Sequence, residues 1–412
     1  MRAEIISVGT ELLLGQIVDT NAAYVAQRLA ELGIDVYFKQ TVGDNPARIG
    51  EALRLAIQRA DLIVVTGGLG PTEDDLTVAT VAQTLGLPLA QHEPSTEHIR
   101  RFFEVRGRTP PASVYKQALI PHGATPIPNT RGTAPGVHAE HQGTTILVMP
   151  GVPYEMEGMM EQYALPLLRQ HTAGTVIRSR VLRVTGEGES AVEERIRDLV
   201  RGRNPTIAPY AKLGEVHLRL TAKGTPEDVA AALDRGEAMV RERVGDLVYG
   251  VDEQSLEEVV AALLTSRHVT VAVAESCTGG LIAQRLTNVP GSSTYFLQGI
   301  VAYGNEAKVR DLGVDSALLD RHGAVSAPVA EAMAQGVRTK SGTTIGLAVT
   351  GIAGPTGGTP EKPVGLVYLA LADGAGVLHR RIMFGEEAGR AGIRFLAAQA
   401  ALNLLRLYLL RQ

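Results

Sequence analysis

The first third of the chain alternates short apolar runs with stretches of helical spacing. Ile5–Val8, Ile34–Thr41, Leu62–Val65 and Thr145–Met149 read as strands. Between them, Asn21–Leu32 carries Val25, Leu29 and Leu32 on one helical face, with Gly33 placed as its C-cap. Pro46–Ala60 does the same with Ile49, Leu53 and Ile57, and a third helix ends near Leu85. This repetition predicts a parallel sheet covered on both faces, a doubly wound α/β domain.

The pattern changes near Gly174. Val176–Thr185 and Glu215–Ala222 alternate as half-exposed strands, Ala191–Val200 and Pro226–Val244 read as amphipathic helices, and Gly202–Pro205 reads as a turn. A small α+β module follows from this, with no cluster of chemically useful residues and a spacer or dimerisation role as its plain reading. From Ser255 a second α/β pattern begins. Leu256–Leu264 is helical, Val269–Ala274 a buried strand, and Leu281–Leu286 a helix. Thr344–Val349 and Gly365–Ala372 are further strands, and a long helix runs to Leu410. The expected architecture is α/β in three domains, 1–172, 173–250 and 251–412.

Length agrees, since 412 residues exceed what one ordinary core organises. Hydrophobic residues at 45% and charged residues at 20% exclude disordered and coiled-coil classes. A net charge of −4 and a pI near 6.2 give no reason to expect nucleic acid or an acidic membrane surface as partner. The absence of Trp argues against aromatic stacking of single strands. No uninterrupted apolar run reaches the roughly 18 residues of a membrane span, and the charged start at Arg2 and Glu4 is unlike a signal peptide. Cys277 stands alone, so no internal disulfide or Cys-rich zinc site is expected, and a reducing cytoplasm fits.

Two regions carry candidate chemistry. Gly67, Gly68, Gly70 and Thr72 lie in a loop after a buried strand, followed by Glu73, Asp74 and Asp75. Ligands of open α/β sheets bind outside the carboxyl ends of strands, and glycines let backbone N–H groups approach an anion. The loop lacks the Walker A and dinucleotide fingerprints. Its acidic run suits a divalent cation bridging carboxylates to a pyrophosphate, or else decorates a first helical turn. Asp44 follows another strand and either converges on the same crevice or caps a helix, as Asn45 also can. Glu11, Asp19 and Asn21 form a polar loop suited to ligand hydroxyls, and Pro150–Pro153 a rigid one.

In the last part, Ser276 sits between a buried strand and the glycines of Cys277-Thr278-Gly279-Gly280. That placement resembles a nucleophile elbow, with the following N–H groups as an oxyanion hole; it equally suits an N-cap serine. Cys277 is the rival nucleophile, but no histidine is spaced to serve it. Lys308, one of few lysines in an arginine-dominated chain, lies five residues after Tyr303, and Ser–Lys pairs are a known alternative to Ser–His–Asp. The loop beginning Thr350-Gly351 can cradle a phosphate, with Arg390 supplying charge.

These motifs together resemble the CinA family over essentially the whole chain. They are Gly9-Thr10-Glu11-Leu12-Leu13-Leu14-Gly15, Asp19-Thr20-Asn21, Gly43-Asp44-Asn45, the 67–75 loop, Ala274-Glu275-Ser276-Cys277-Thr278-Gly279-Gly280, Val301-Ala302-Tyr303-Gly304-Asn305 with Lys308, and Val349-Thr350-Gly351-Ile352-Ala353-Gly354-Pro355. The resemblance implies a molybdopterin-binding-like first domain with metal-dependent ADP-ribose pyrophosphatase activity, using Mg, Mn or Co at Asp44 and Asp75. It implies a KH-like middle module and a last domain that deamidates nicotinamide mononucleotide without a cofactor. There Ser276 is implied as nucleophile, Tyr303 and Lys308 as its activators, and Thr350 and Arg390 as substrate contacts. A homodimer is implied as well. A molybdopterin-binding or competence-associated accessory protein is the alternative, and the acidic pI weighs against direct DNA binding.

Overall fold

A computed structural model describes residues 1–170 and 174–412. The expected boundary at 172–173 therefore lies outside the described residues. By internal packing the chain divides into two compact units, Met1–Arg178 with Ala222–Ala232, and Ser179–Thr221 with Leu233–Gln412.

The amino-terminal sheet has six strands in the order Asp35–Val42, Arg2–Val8, Leu62–Thr66, Thr144–Met149, Gly136–His141, Thr125–Ile127. The first four are parallel, as expected, and every residue of Leu62–Thr66 is buried because helices cover both faces. Side chains alternate between two cores. Ile6, Ile63 and Val65 pack with Ile49 and Leu53, while Ile5, Leu62 and Val64 pack with Val25 and Leu29. The sheet is not wholly parallel, because two further strands join it antiparallel. The reversal is made by Gln142 and Gly143, both at positive φ (52° and 82°), the conformation of a two-residue hairpin with the sheet's own twist. Asp19 and Asn45 cap the helices Thr20–Glu31 and Pro46–Ile57 through their side chains, so the cap falls to Asn45 and leaves Asp44 free for another partner.

The middle residues form a four-stranded sheet in the order Thr206–Lys212, Glu215–Gly224, Val176–Val184, Val248–Val251. The first of these strands is absent from the sequence reading. It pairs antiparallel with Glu215–Gly224, Lys212 opposite Glu215, and its exposed residues leave no apolar run to detect.

The carboxyl-terminal sheet runs Phe296–Val301, Val271–Glu275, Ile345–Gly351, Leu366–Ala372, Val377–Met383, with the first three parallel and the last two antiparallel. Its two faces differ in size. Val271, Val273, Leu347 and Val349 point one way, toward the helices Leu256–Ser266 and Gly389–Leu410. Ala272, Ala274, Ala348 and Ala370 point the other, toward Val329, Met333 and Val337 of the helix Ala327–Ser341. Small side chains let that helix lie close: a Cβ at Gly346 would strike the Ala334 carbonyl, and one at Gly336 the Leu312 carbonyl. The segment Glu386–Leu410 is the one stretch among the described residues long and apolar enough to cross a membrane. Here it is a core helix, with Ile393, Ala397, Ala401, Leu402 and Leu405 fully buried.

Because the obstacle at Gly336 is backbone, Gly336→Ala should cost about 1–3 kcal/mol. The check is the urea midpoint of the full-length protein, and an unchanged midpoint would contradict the close approach.

Candidate active site

The strand Val271–Glu275 is wholly buried and delivers Ser276 at its carboxyl end. The Ser276 N–H donates to the Val349 carbonyl (3.0 Å), which ties the serine to the neighbouring strand. Glu275 is fully buried, and its carboxylate accepts the N–H groups of Gly280 (2.9 Å), Ile282 (3.2 Å) and Ala283 (2.8 Å). A charge placed there satisfies the open donors of the helix Leu281–Thr287. Gly279 (φ 61°) and Gly280 (φ 96°) take the left-handed conformations that turn the chain between them.

Lys308 comes from the helix Asn305–Leu312 and is 1% exposed. Its Nζ lies 3.2 Å from Ser276 Oγ, 2.8 Å from the Ala302 carbonyl and 3.1 Å from the Tyr303 carbonyl. Two carbonyls can only accept, so they occupy two N–H bonds of the amine. The remaining tetrahedral position faces the serine. Burial holds the Lys308 pKa below its ordinary 10.5, and among the described residues no carboxylate pairs with it to oppose the shift. A neutral Lys308 would therefore present its lone pair to the Ser276 hydroxyl, the geometry of a Ser–Lys nucleophile.

Other expected residues fall into place differently. The Tyr303 side chain is exposed, and its hydroxyl accepts from Arg390 Nη2 (2.8 Å); its carbonyl is what reaches Lys308. Arg390 also donates to the Gly354 carbonyl (2.7 Å), joining the two loops. Thr350 is fully buried and spends its hydroxyl on the Ala324 carbonyl (2.9 Å). At Gly351 an added Cβ would lie 2.7 Å from Val367 and 3.1 Å from Cys277 Sγ. Of the expected oxyanion donors, Gly279 N–H is committed to the Ser276 carbonyl (3.1 Å) and Gly280 N–H to Glu275. The N–H groups of Cys277 and Thr278 remain, and both also face the Cys277 sulfur. The Cys277 side chain packs in the apolar core, where burial pushes its thiol up to about 12. A thiol so hard to ionise makes a poor nucleophile.

Two residues escaped the sequence reading. Glu275 was visible only as a motif letter; nothing in spacing announces a buried carboxylate that caps the next helix. Arg394 donates to the Thr278 carbonyl (2.8 Å). Its signal was its position one helical turn after Arg390.

In the amino-terminal domain, Gly68, Gly70, Asp75, Gly151 and Glu155 line a cleft of about 350 Å³, and Glu11, Asp19 and Asn21 line a smaller one that shares Gly151. Gly67 (φ 101°) lies against the Val8 carbonyl, where no side chain fits. Asn21 Nδ2 donates to the Gly151 carbonyl (2.8 Å), and its Oδ1 is buried without a partner among the described residues. Asp75 accepts from the Thr72 N–H (2.9 Å) and hydroxyl, and the Thr72 hydroxyl also lowers the Asp74 pKa. Asp44 accepts from the Thr10 N–H (2.9 Å) and hydroxyl (2.8 Å). Among the described residues no three His, Cys, Asp or Glu side chains converge as a metal site. The expected pair Asp44 and Asp75 does not by itself complete the donor set of a divalent cation, and water and substrate phosphates would have to supply the rest.

Fold and site together define a multidomain α/β protein with a Ser–Lys centre on one sheet and a glycine-loop cleft on another. Residues 4–170 match the model described as "Probable molybdopterin binding domain", 179–250 that of "Damage-inducible protein CinA KH domain", and 253–409 that of "CinA C-terminal domain". A "CinA-like protein" of Dictyoglomus thermophilum is 50% identical over 408 residues, 98% of either chain. A "Putative competence-damage inducible protein" of Moorella thermoacetica is 51% identical over 407 residues, again 98% of either. A solved competence/damage inducible protein of Agrobacterium tumefaciens is 44% identical over 38% of this chain and 94% of its own, with a TM-score of 0.36. The chain belongs to the CinA family.

The buried thiol predicts that iodoacetamide at pH 8 leaves Cys277 of the native protein unmodified while labelling it fully after denaturation. Rapid native labelling, read by mass spectrometry, would contradict its place in the core.

Proposed function

We propose that the carboxyl-terminal domain deamidates nicotinamide mononucleotide to nicotinate mononucleotide and ammonia. The observation that carries this reading is the buried Lys308 amine, 3.2 Å from Ser276 Oγ and held by two carbonyls. In the first step Lys308 takes the Ser276 proton as Oγ bonds to the carboxamide carbon. The carbonyl oxygen becomes an oxyanion beside the N–H groups of Cys277 and Thr278. Collapse breaks the C–N bond, and Lys308 returns its proton to the departing nitrogen, which leaves as ammonia. Water then gives a proton to Lys308 and its hydroxide to the acyl carbon; the C–Oγ bond breaks, and Ser276 recovers the proton. The net change is amide plus water to acid plus ammonia. Arg390, joined to Tyr303 and Gly354, is the cation available for the nucleotide phosphate.

Ser276→Ala and Lys308→Met should each lower ammonia release on the order of 1000-fold or more, with the double variant no worse than either single. Undiminished release from Ser276→Ala would end the proposal. Lowering the pH protonates Lys308 and removes the base, so the wild-type rate should rise with pH along a limb centred below 10.5. A limb at or above that value would contradict the buried amine.

For the amino-terminal cleft the proposed reaction is hydrolysis of ADP-ribose at its pyrophosphate, supported by the glycine loop and the carboxylates of Asp75 and Glu155 that line it. Chelator-treated protein should be inactive on ADP-ribose, with activity restored by Mg, Mn or Co and lost in Asp75→Asn. Cleavage by the chelated protein, or at the wild-type rate in Asp75→Asn, would overturn it. Chromatographic detection of AMP and ribose 5-phosphate reads the result.

A further inference from the structure

A cavity of about 590 Å³ lies within the second compact unit and takes no part in the chemistry above. Its size suits a small molecule. Leu369, Ile382 and Phe384 of the carboxyl-terminal sheet region wall one side, and the helix Gly389–Leu410 supplies Gln399 and Asn403, one turn apart. Both amides have their orientation set by neighbours. Gln399 Nε2 donates to Glu215 Oε1 (3.0 Å); a carboxylate only accepts, so Oε1 is the remaining end. That oxygen is buried and has no hydrogen bond among the described residues. Asn403 Oδ1 accepts from Arg406 Nε (3.0 Å) and Nη2 (2.9 Å), which leaves Nδ2 as a donor. Side chains so spaced on a helix lie about 5–6 Å apart at Cβ, within reach of one planar ring. Exposed Lys212 and Arg380 also line the cavity, and neither pairs with a carboxylate among the described residues. Of the acidic residues there, Glu215 is taken up by His217, Tyr249 and Gln399, Glu187 is paired with Arg195, and Glu189 opens a helix.

We propose that this cavity binds an adenine mononucleotide. The purine fills the apolar slot, its exocyclic N–H donates to Gln399 Oε1, a ring nitrogen accepts from Asn403 Nδ2, and the phosphate meets Lys212 and Arg380. The same helix carries Arg390 and Arg394, which hold the loops of the Ser276 site through Tyr303, Gly354 and Thr278. A nucleotide seated three to four turns along that helix therefore bears on the site; this regulatory part rests on the deamidase reading.

The test is calorimetric titration of the full-length protein with AMP, with no other nucleotide present. Ala400→Phe projects a ring into the cavity from the same helix. Binding should fall about tenfold or more in Ala400→Phe and in Lys212→Glu/Arg380→Glu, with melting temperatures preserved. It should fall similarly for IMP, whose carbonyl oxygen would face the Gln399 oxygen. Because AMP is also a product of the reaction proposed for the amino-terminal cleft, the site is read as the binding step lost in Ala400→Phe; failure of AMP to bind, no step lost in Ala400→Phe, or equal binding of IMP at that step would overturn the site. In a second arm AMP should change the KM for nicotinamide mononucleotide in wild type and not in Ala400→Phe; an unchanged KM in wild type would overturn the coupling. A wild-type protein that releases no ammonia would sink the deamidase reading alone, since the titration is decided without it.

Discussion

The amine of Lys308 is buried among two carbonyls and a serine hydroxyl, with no carboxylate paired to it among the described residues. Removing an ammonium from water is costly, and proteins answer by neutralising it. The surrounding unit is built so that neutralisation is useful. Two parallel strands present their carboxyl ends side by side, and the Ser276–Val349 hydrogen bond fixes the serine at that edge. Glu275 is also buried, one residue from Ser276, and its carboxyl group is spent on three backbone donors and not on the lysine. Keeping the carboxylate away from the lysine leaves burial unopposed in lowering the Lys308 pKa, while Glu275 serves as an anchor.

The closing helix is the element on which most of this converges. One face fills the core beneath the sheet through Ile393, Ala397 and Leu405. Its first turns hold the loops around Ser276 by Arg390 and Arg394. Farther along, Arg406 is buried beside Asn403 and donates to the Asp246 carbonyl, and burial lowers its pKa. A helix this apolar satisfies the length and composition of a membrane span, and its packing explains that composition without one. The amino-terminal domain uses a different device: a glycine loop at a strand's end, where Gly67 fits only because it lacks a side chain.

Much of the fold was legible because buried strands and amphipathic helices leave strong local patterns. Leu62–Thr66 and Val271–Glu275 are apolar throughout or nearly so, and the structure places each between two neighbouring strands of its sheet. Phe296–Val301 and Val377–Met383 are edge strands with mixed exposure, so their sequences carried no comparable signal. Within the site, Ser276 and Lys308 were legible from a strand-to-glycine turn and an unusual lysine. The partner of the Tyr303 hydroxyl was not, since Arg390 lies 87 residues away.

The sequence by itself therefore determined the two α/β patterns, the module between them and the residue types at each strand end, because periodicity and glycine placement are local properties. Only the tertiary structure decided which groups are dry, which carbonyl or carboxylate meets each donor, and which N–H groups remain free. Those depend on contacts between distant segments, and it is these contacts that make Lys308 a candidate base, Cys277 an inert thiol and Glu275 an anchor.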